Sequence, residues 1–327
     1  MTSIILRAMA ACGLAFALSG AAVAQSGKIT LYTSQPDKIA AETVAAFRAK
    51  HPGVEVDIFR SGTTEVMNKL QAEFAAGDPR PDLLFVADAV TMEALKAQDR
   101  LLAFPEADLA AYPAAAYDRD RTYFGTKLIT TGIMYNTGAK KPTSWKDLAD
   151  PAAKGQVIMP SPLYSGAAAI HMGALTAAPG LGWDYYKALS QNGAVAVQGN
   201  GAVANAVRRG EKMYGVIVEF MAIDAKAKGS PVDFVFPAEG VTAVTEPVAI
   251  LRSAKNPAAA KAFVAFLLSK DGQQLAARQG FLPGHKEVDP PAGFPKTSDV
   301  KIMPIDIKAV IETDAANKRR FTELFGG

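Results

Sequence analysis

Between Gln156 and Leu175 the chain reads QVIMPSPLYSGAAAIHMGAL, and its reactive-looking part lies in the middle. Gln156 to Met159 is short and apolar and suits a buried strand, which Pro160 and Pro162 stop. Ser165 and Gly166 then precede the helix-forming run Ala167 to Ile170. Serine is a preferred helix N-cap, and glycine lets a ligand come close to the backbone. The first N–H groups of a helix lack partners inside it, and the dipole adds about half a positive charge there. A strand, a Ser-Gly turn and a helix N-terminus together form a cradle for an anion. Taken alone, the stretch reads as an ordinary capped helix; the remaining turns give it a second meaning.

Other chemistry is sparse. His51 sits at a helix end and His285 in a Pro-Gly loop, both solvated; His171 is a satisfied, partly buried side chain. There is no His-x-x-x-His pair, no cysteine cluster, no calcium-type carboxylate spacing and no nucleophile elbow. The expectation is no metal site, no cofactor and no catalysis. Cys12 is the single cysteine, and it lies in a leader: Arg7, an apolar run from Ala8 to Ala21, and a cleavage site at Ala22-Val23-Ala24 before Gln25. Export with cleavage leaves a thiol-free chain in the periplasm, with 303 of the 327 residues, enough for two lobes. Thirty-five basic residues nearly balance thirty-two acidic ones, and no basic run carries interleaved aromatics, so nucleic acid is not an expected partner.

The elements that must position the cradle follow a rhythm. Ile29–Tyr32 begins a strand that Thr33-Ser34-Gln35-Pro36 turns; Ile39, Thr43, Val44 and Phe47 mark a helix face. Val54, Val56 and Ile58 alternate as a second strand before Ser61-Gly62-Thr63-Thr64, and Val66, Leu70 and Phe74 mark a second helix. Asp82–Val86 is a continuous apolar strand, as expected when both faces are covered. This βαβαβ order implies a parallel sheet, with ligands outside the carboxyl ends of its strands. Three turns meet there: Thr33–Gln35, Ser61–Thr64 and Ala87-Asp88. Tyr123–Tyr135 breaks the rhythm as a crossover, and Val241–Leu251 reads as the return. Trp145–Leu148 and Trp183–Leu189 are helical, Gly199-Asn200-Gly201 is a turn before a helix at Val203–Arg209, and Met213–Val218 is a strand ending on Glu219. Ala258–Ser269 and Pro304–Ala316 are the last helices expected.

ITLYTSQ, SGTTEVMNKLQAEF, PDLLFVAD, TSWKDLADPAAKGQVIMPSP, YSGAAA and AILRSAKNPAAAKAFVAFLLSKDGQ occur in this order along the mature chain. Together they resemble the periplasmic substrate-binding proteins of bacterial ABC importers, in the branch that includes ferric-ion, phosphonate and sugar-phosphate binders. The resemblance implies an α/β, two-lobed type II periplasmic-binding-protein fold. Each lobe is a parallel-rich sheet with flanking helices, and two crossing hinge segments join them. Residues 26–127 with 247–300 form one lobe, and 128–246 with 301–327 the other. Closure is a hinge motion around ligand, and a membrane permease reads the closed form.

Ferric binders in this branch use adjacent tyrosines, a first-turn histidine and an acid after the third strand. The tyrosine pair falls on Glu219-Phe220 or Phe220-Met221, the histidine on Pro36, and the acid near Ala87 beside Asp88. A hard ferric ion loses its anionic oxygens there. Tyr185-Tyr186 stands elsewhere, in a helix, and reads as packing. The branch's anion pattern survives at Ser165-Gly166-Ala167 and Asn200. The expected ligand is therefore a small anion or zwitterion, with a 2-aminoethylphosphonate-type molecule leading; its oxyanion sits on Ser165, Gly166, Ala167, Thr63, Thr64 and Asn200. Ser34, Gln35 and Ser61 complete the lining, and Asp88 and Glu219 meet the ammonium. Alternatives are a sugar phosphate, a carboxylate or ferric iron. A ligand-presenting sensory role on the same fold is also an alternative. The protein is expected to work as a monomer.

Overall fold

Apolar strands that alternate with one-sided helices bury their faces only by stacking sheets between helix layers. A computed structural model describes residues 25–294 and 300–326; the leader expected at 1–24 lies outside them. In chain order come β1 (Gly27–Thr33), α1 (Asp37–Lys50), β2 (Val54–Arg60), α2 (Thr63–Ala75), β3 (Leu83–Phe85), α3 (Ala89–Ala97), β4 (Leu101–Leu102) and β5 (Tyr123–Gly125). Next are β6 (Lys127–Asn136), β7 (Val157–Pro160), α4 (Gly166–Ala177), α5 (Gly182–Gln191), β8 (Val195–Val197) and α6 (Asn200–Arg208). Then follow β9 (Tyr214–Val218), α7 (Glu219–Ala227), β10 (Val232–Val235), β11 (Thr242–Val244) and β12 (Pro247–Leu251). The chain ends with α8 (Pro257–Leu268), α9 (Lys270–Arg278), β13 (Leu282–Pro283) and α10 (Ile307–Phe325).

Two sheets result. The first has the order β2-β1-β3-β12-β4, with β5 also on β12; the second runs β10-β6-β9-β7-β8, with β11 and β13 on β6. β1 is parallel to both β2 and β3, as βαβαβ requires, and β12 returns antiparallel to β3. The unbroken apolar run in β3 is explained by its two covered faces. Leu83 and Phe85 pack with Phe47 and Phe263, while Leu84 points to Tyr32, Leu70 and Met92 on the opposite side. The second sheet repeats the plan: Ile158 and Ile217 meet Val203 and Val207, and Val157, Met159 and Val216 meet Trp145, Leu175 and Tyr186.

β5 passes into β6 at Thr126, and β11 passes into β12 through Thr245-Glu246, so two neighbouring segments join the sheets. They are bonded to each other: Thr126 N donates to Thr245 O at 3.1 Å, and Thr126 Oγ1 to Glu246 O at 3.0 Å. α10 packs on α4, where Gly173 admits Val310; a Cβ there would lie 2.9 Å from Val310 Cγ2.

The helices differ from expectation in four places. α10 runs nine residues past the expected end at Ala316. α3, α7 and α9 were not expected; Asp88 was read as a turn residue and Glu219 as a strand end, yet Asp88 caps α3 and Glu219 opens α7.

Asp82 holds the first sheet to the loop before α8. Its Oδ2 accepts from Thr30 N at 2.7 Å, and its Oδ1 from Lys255 N at 2.6 Å and Asn256 N at 3.0 Å. Asp82→Ala strands these donors beside a buried position, and we expect a loss of ~3 kcal/mol or more in a urea melt. A loss within experimental error contradicts this role.

Candidate functional site

The carboxyl ends of β1, β2 and β3 face the N-terminus of α4 across a cavity of about 360 Å³. Ser34, Pro36, Arg60, Ser61, Gly62, Thr63, Glu65 and Ala87 line it from the first sheet's side. Tyr164, Ser165, Gly166, Ala167, Gln198 to Ala202, Val218, Phe220 and Met221 line it from the other, and Ile129, Glu246 and Phe281 lie among the lining near the crossing segments.

Three helices begin on this cavity. Ser165 caps α4, its Oγ accepting from Ala168 N at 3.2 Å, which leaves its own proton to donate. α2 begins at Thr63 after Gly62, and α6 at Asn200 after Gly199. Each N-terminus adds unpaired N–H groups and a partial positive charge. Asn200 Oδ1 accepts from Val218 N at 3.2 Å, and its Nδ2 lies 3.5 Å from Ser165 Oγ, so the side chain spans the end of β9 and the cap of α4. Arg60 supplies a full charge. Its Nε donates to Gln35 O at 2.9 Å, and it has no carboxylate partner among the described residues.

The walls touch. Thr64 N lies 3.4 Å from Tyr164 O, and Cβ atoms built at Gly62 and Gly166 would meet Tyr164 O at 2.8 Å and Ala87 O at 2.9 Å. Glycine at 62 and 166 is therefore what lets the two helix ends approach.

Of the residues expected at the site, Ser34, Ser61, Thr63, Ser165, Gly166, Ala167 and Asn200 line the cavity. Ser34 also anchors its turn, with Oγ accepting from Ala87 N at 3.2 Å. Four do not line it. Thr64 contributes its N–H to the wall contact just described. Gln35 is buried, with Nε2 donating to Glu246 Oε2 at 3.2 Å. Asp88 spends its carboxylate on the N–H and hydroxyl of Thr91 at the start of α3; burial pushes its pKa up, and the Thr91 bonds oppose that. Glu219 is fully buried and turned toward β6, where Oε2 accepts from Thr130 N; Oε1 and Thr130 Oγ1 have no partner among the described residues. Burial lifts its pKa to about 8. The pair expected to hold an ammonium group is thus directed elsewhere. Asp88 is a helix cap, and Glu219 is an interior acid facing Thr130 in β6, the strand that follows the crossing.

Sequence reasoning missed Arg60, Glu65, Tyr164, Gln198 and Glu246. Arg60 ends β2 immediately before a turn already singled out, a position that faces ligand in parallel sheets. Glu246 stands alone in the apolar run Val241–Leu251. Its Oε2 lies 2.8 Å from Lys127 Nζ. Burial lowers the Lys127 pKa against the pull of that carboxylate, and the ammonium also lies 3.8 Å from the Phe281 ring centre.

No group of three or more His, Cys, Asp or Glu is placed to hold a metal ion among the described residues. Pro36, Phe220 and Met221, three of the positions singled out for iron ligands, line the cavity with side chains that carry no oxygen. Away from it, His171 Nδ1 meets Thr242 Oγ1 at 3.1 Å and its ring lies 4.6 Å from that of Trp145; burial lowers its pKa to about 3. Tyr185 and Tyr186 are packed in the core. No described helix is long and apolar enough to cross a membrane.

Two α/β lobes, two crossing segments and a cleft between strand and helix ends define a type II periplasmic binding protein. The profile of the bacterial extracellular solute-binding proteins matches residues 29–282, and the chain belongs to that family. It is a periplasmic solute-binding protein of an ABC transporter. It is 30% identical over 291 residues to an uncharacterized protein of Haemophilus influenzae, covering 84% of this chain and 81% of that one. The Fe(3+)-binding periplasmic protein of Serratia marcescens is 26% identical over 329 residues, 95% of this chain and 92% of its own. The solved structure of AfuA from Actinobacillus pleuropneumoniae, with exogenous fructose-6-phosphate bound, superposes with a TM-score of 0.83 at 21% identity. That match covers 92% of this chain and 99% of AfuA.

Proposed function

We propose that this protein captures a small organic phosphate or phosphonate in the cleft and delivers it unchanged to the importer's permease. The observation that carries this reading is the convergence of three helix N-termini and Arg60 on one cavity. A tetrahedral phosphoryl group offers three oxygens to three separate helix ends; a planar carboxylate offers two. A cavity of about 360 Å³ lies in the range that encloses organic ligands, so room remains for a body behind the anion. The fructose-6-phosphate held by AfuA is a molecule of this class on the same fold. 2-Aminoethylphosphonate also belongs to the class, although Asp88 and Glu219 do not serve its ammonium. The iron-binding relative supports a ferric reading less well, because Pro36, Phe220 and Met221 offer no ligand oxygen.

Calorimetry on the ligand-free protein with alkyl phosphates, phosphonates, carboxylates and ferric citrate tests this. The phosphoryl compounds should bind and the carboxylates should not. Arg60→Met should weaken phosphoryl binding ~30-fold, about 2 kcal/mol, as expected when one partner of a desolvated charge pair is removed. Carboxylates that bind as tightly as phosphates, or a coloured ferric complex, contradict the reading.

A further inference from the structure

Glu246 lies in the second crossing segment, between β11 and β12, and is 3% exposed while lining the cavity. Its φ is +30°, in a region that residues other than glycine seldom enter. Such backbone is found where the surroundings dictate a side chain's direction. Both described contacts of its carboxylate fall on the same oxygen: Lys127 Nζ at 2.8 Å and Gln35 Nε2 at 3.2 Å reach Oε2. Oε1 receives no donor among the described residues, and it is not one of the sealed, unpartnered atoms of the interior. It is therefore an accessible oxygen of a residue that lines the cavity. A carboxylate oxygen left in a closing cleft without a donor is costly, so a bound ligand must supply one.

The kind of donor follows from charge. Lys127 and Glu246 are neutral together, whichever of them holds the proton. An ammonium group brought to Oε1 would set a second cation on a carboxylate that Lys127 Nζ already meets at 2.8 Å, so the two like charges would repel at close range in a buried place. A hydroxyl brings a proton to share and no charge. The other acid lining the cavity, Glu65, already accepts from Ser61 Oγ. Arg60 Nε, Gln35 and Glu246 form a connected chain from the anion's end of the cavity to the crossing segments.

We infer that Glu246 is the second anchor of the site: its Oε1 accepts a hydrogen bond from a hydroxyl group on the body of the bound phosphate. The site thereby selects hydroxylated phosphates over alkyl and aminoalkyl ones. The inference rests on the phosphoryl reading above and adds the chemistry of the ligand's other end.

Shape-matched pairs test it by calorimetry on the whole ligand-free protein: glycerol 3-phosphate against propyl phosphate, and glucose 6-phosphate against cyclohexylmethyl phosphate. Two lengths are used so that one reaches Glu246, and 3-aminopropyl phosphate provides the cationic arm. The hydroxylated member of at least one pair should bind ~30-fold or more tighter, since a site built to bond a hydroxyl rejects the analogue lacking it. The aminoalkyl phosphate should gain nothing over propyl phosphate. The double variant Lys127→Met/Glu246→Met removes both charges and leaves neither ion unpaired. In it the hydroxyl preference should fall to near unity. Equal affinities within both pairs of the wild type overturn the inference and leave the phosphoryl reading standing. So does a preference that survives in the folded double variant, or a clear advantage for the aminoalkyl arm. Binding of no phosphate at all overturns both. If the double variant does not fold, the wild-type pairs decide alone.

Discussion

Gly166→Val is expected to abolish ligand capture while leaving the free protein folded. A Cβ at position 166 would lie 2.9 Å from Ala87 O and 3.0 Å from both Asp88 Cβ and Thr63 Cγ2. All three belong to the opposite wall, and two of them cannot rotate away. Gly166 is the first residue of α4 and its φ is not left-handed, so valine fits the helix itself. The collision is therefore with the contact between the two walls, and the variant is expected to keep each lobe folded while holding the walls apart. Valine also crowds the N–H groups that face the cavity. We expect a loss of at least ~100-fold in affinity, about 2.7 kcal/mol, by calorimetry. The melting temperature of the ligand-free variant should stay close to that of the wild type, and Gly166→Ala should fall between. Wild-type affinity in Gly166→Val would show that the walls do not approach as described.

The second large effect is on stability. The protein should lose stability as the pH rises through neutrality, and Glu219→Gln should remove that loss. Burial raises the Glu219 pKa from 4.5 to about 8, so between these values the folded chain keeps a proton that the unfolded chain releases. Its stabilising contribution is complete below pH 4.5 and disappears as the pH climbs through the folded value, with a slope of up to ~1.4 kcal/mol per unit. His171 has the opposite sign. Its pKa is lowered from 6.5 to about 3, so its contribution is present above 6.5 and lost as the pH falls. Urea melts between pH 6.5 and 8 consequently isolate Glu219 from His171. Glutamine carries no charge at any pH, and its variant should be the more stable protein at the alkaline end. Parallel pH profiles for the two proteins contradict the assignment.

The parts of the molecule legible in the sequence are those with a local cause. β3 announced itself because both of its faces are covered, and Ser165-Gly166 because a cap and a close approach need those residue types. The two crossings were visible as long extended runs, Tyr123–Tyr135 and Val241–Leu251, that interrupt the βα rhythm. Asp88 and Glu219 show the limit. Each follows a strand whose end faces the cleft, and each was expected to point there. Direction depends on the helix that begins at that residue: α3 takes Asp88 as its cap, and α7 turns Glu219 back onto Thr130. Those short helices carry weak periodicity, and a strand-end rule says nothing about them. Glu246 was hidden for another reason. Its partners Lys127 and Gln35 are 119 and 211 positions away, and only the packing of the crossings against the first turn brings the three together.

Native mass spectrometry of the protein as purified from cells tests the central claim most directly. The account predicts a one-to-one adduct that, when released and fragmented, yields the metaphosphate or phosphonate ion together with a hydroxylated organic remainder. A phosphorus-free adduct, or bound ferric iron, would contradict it.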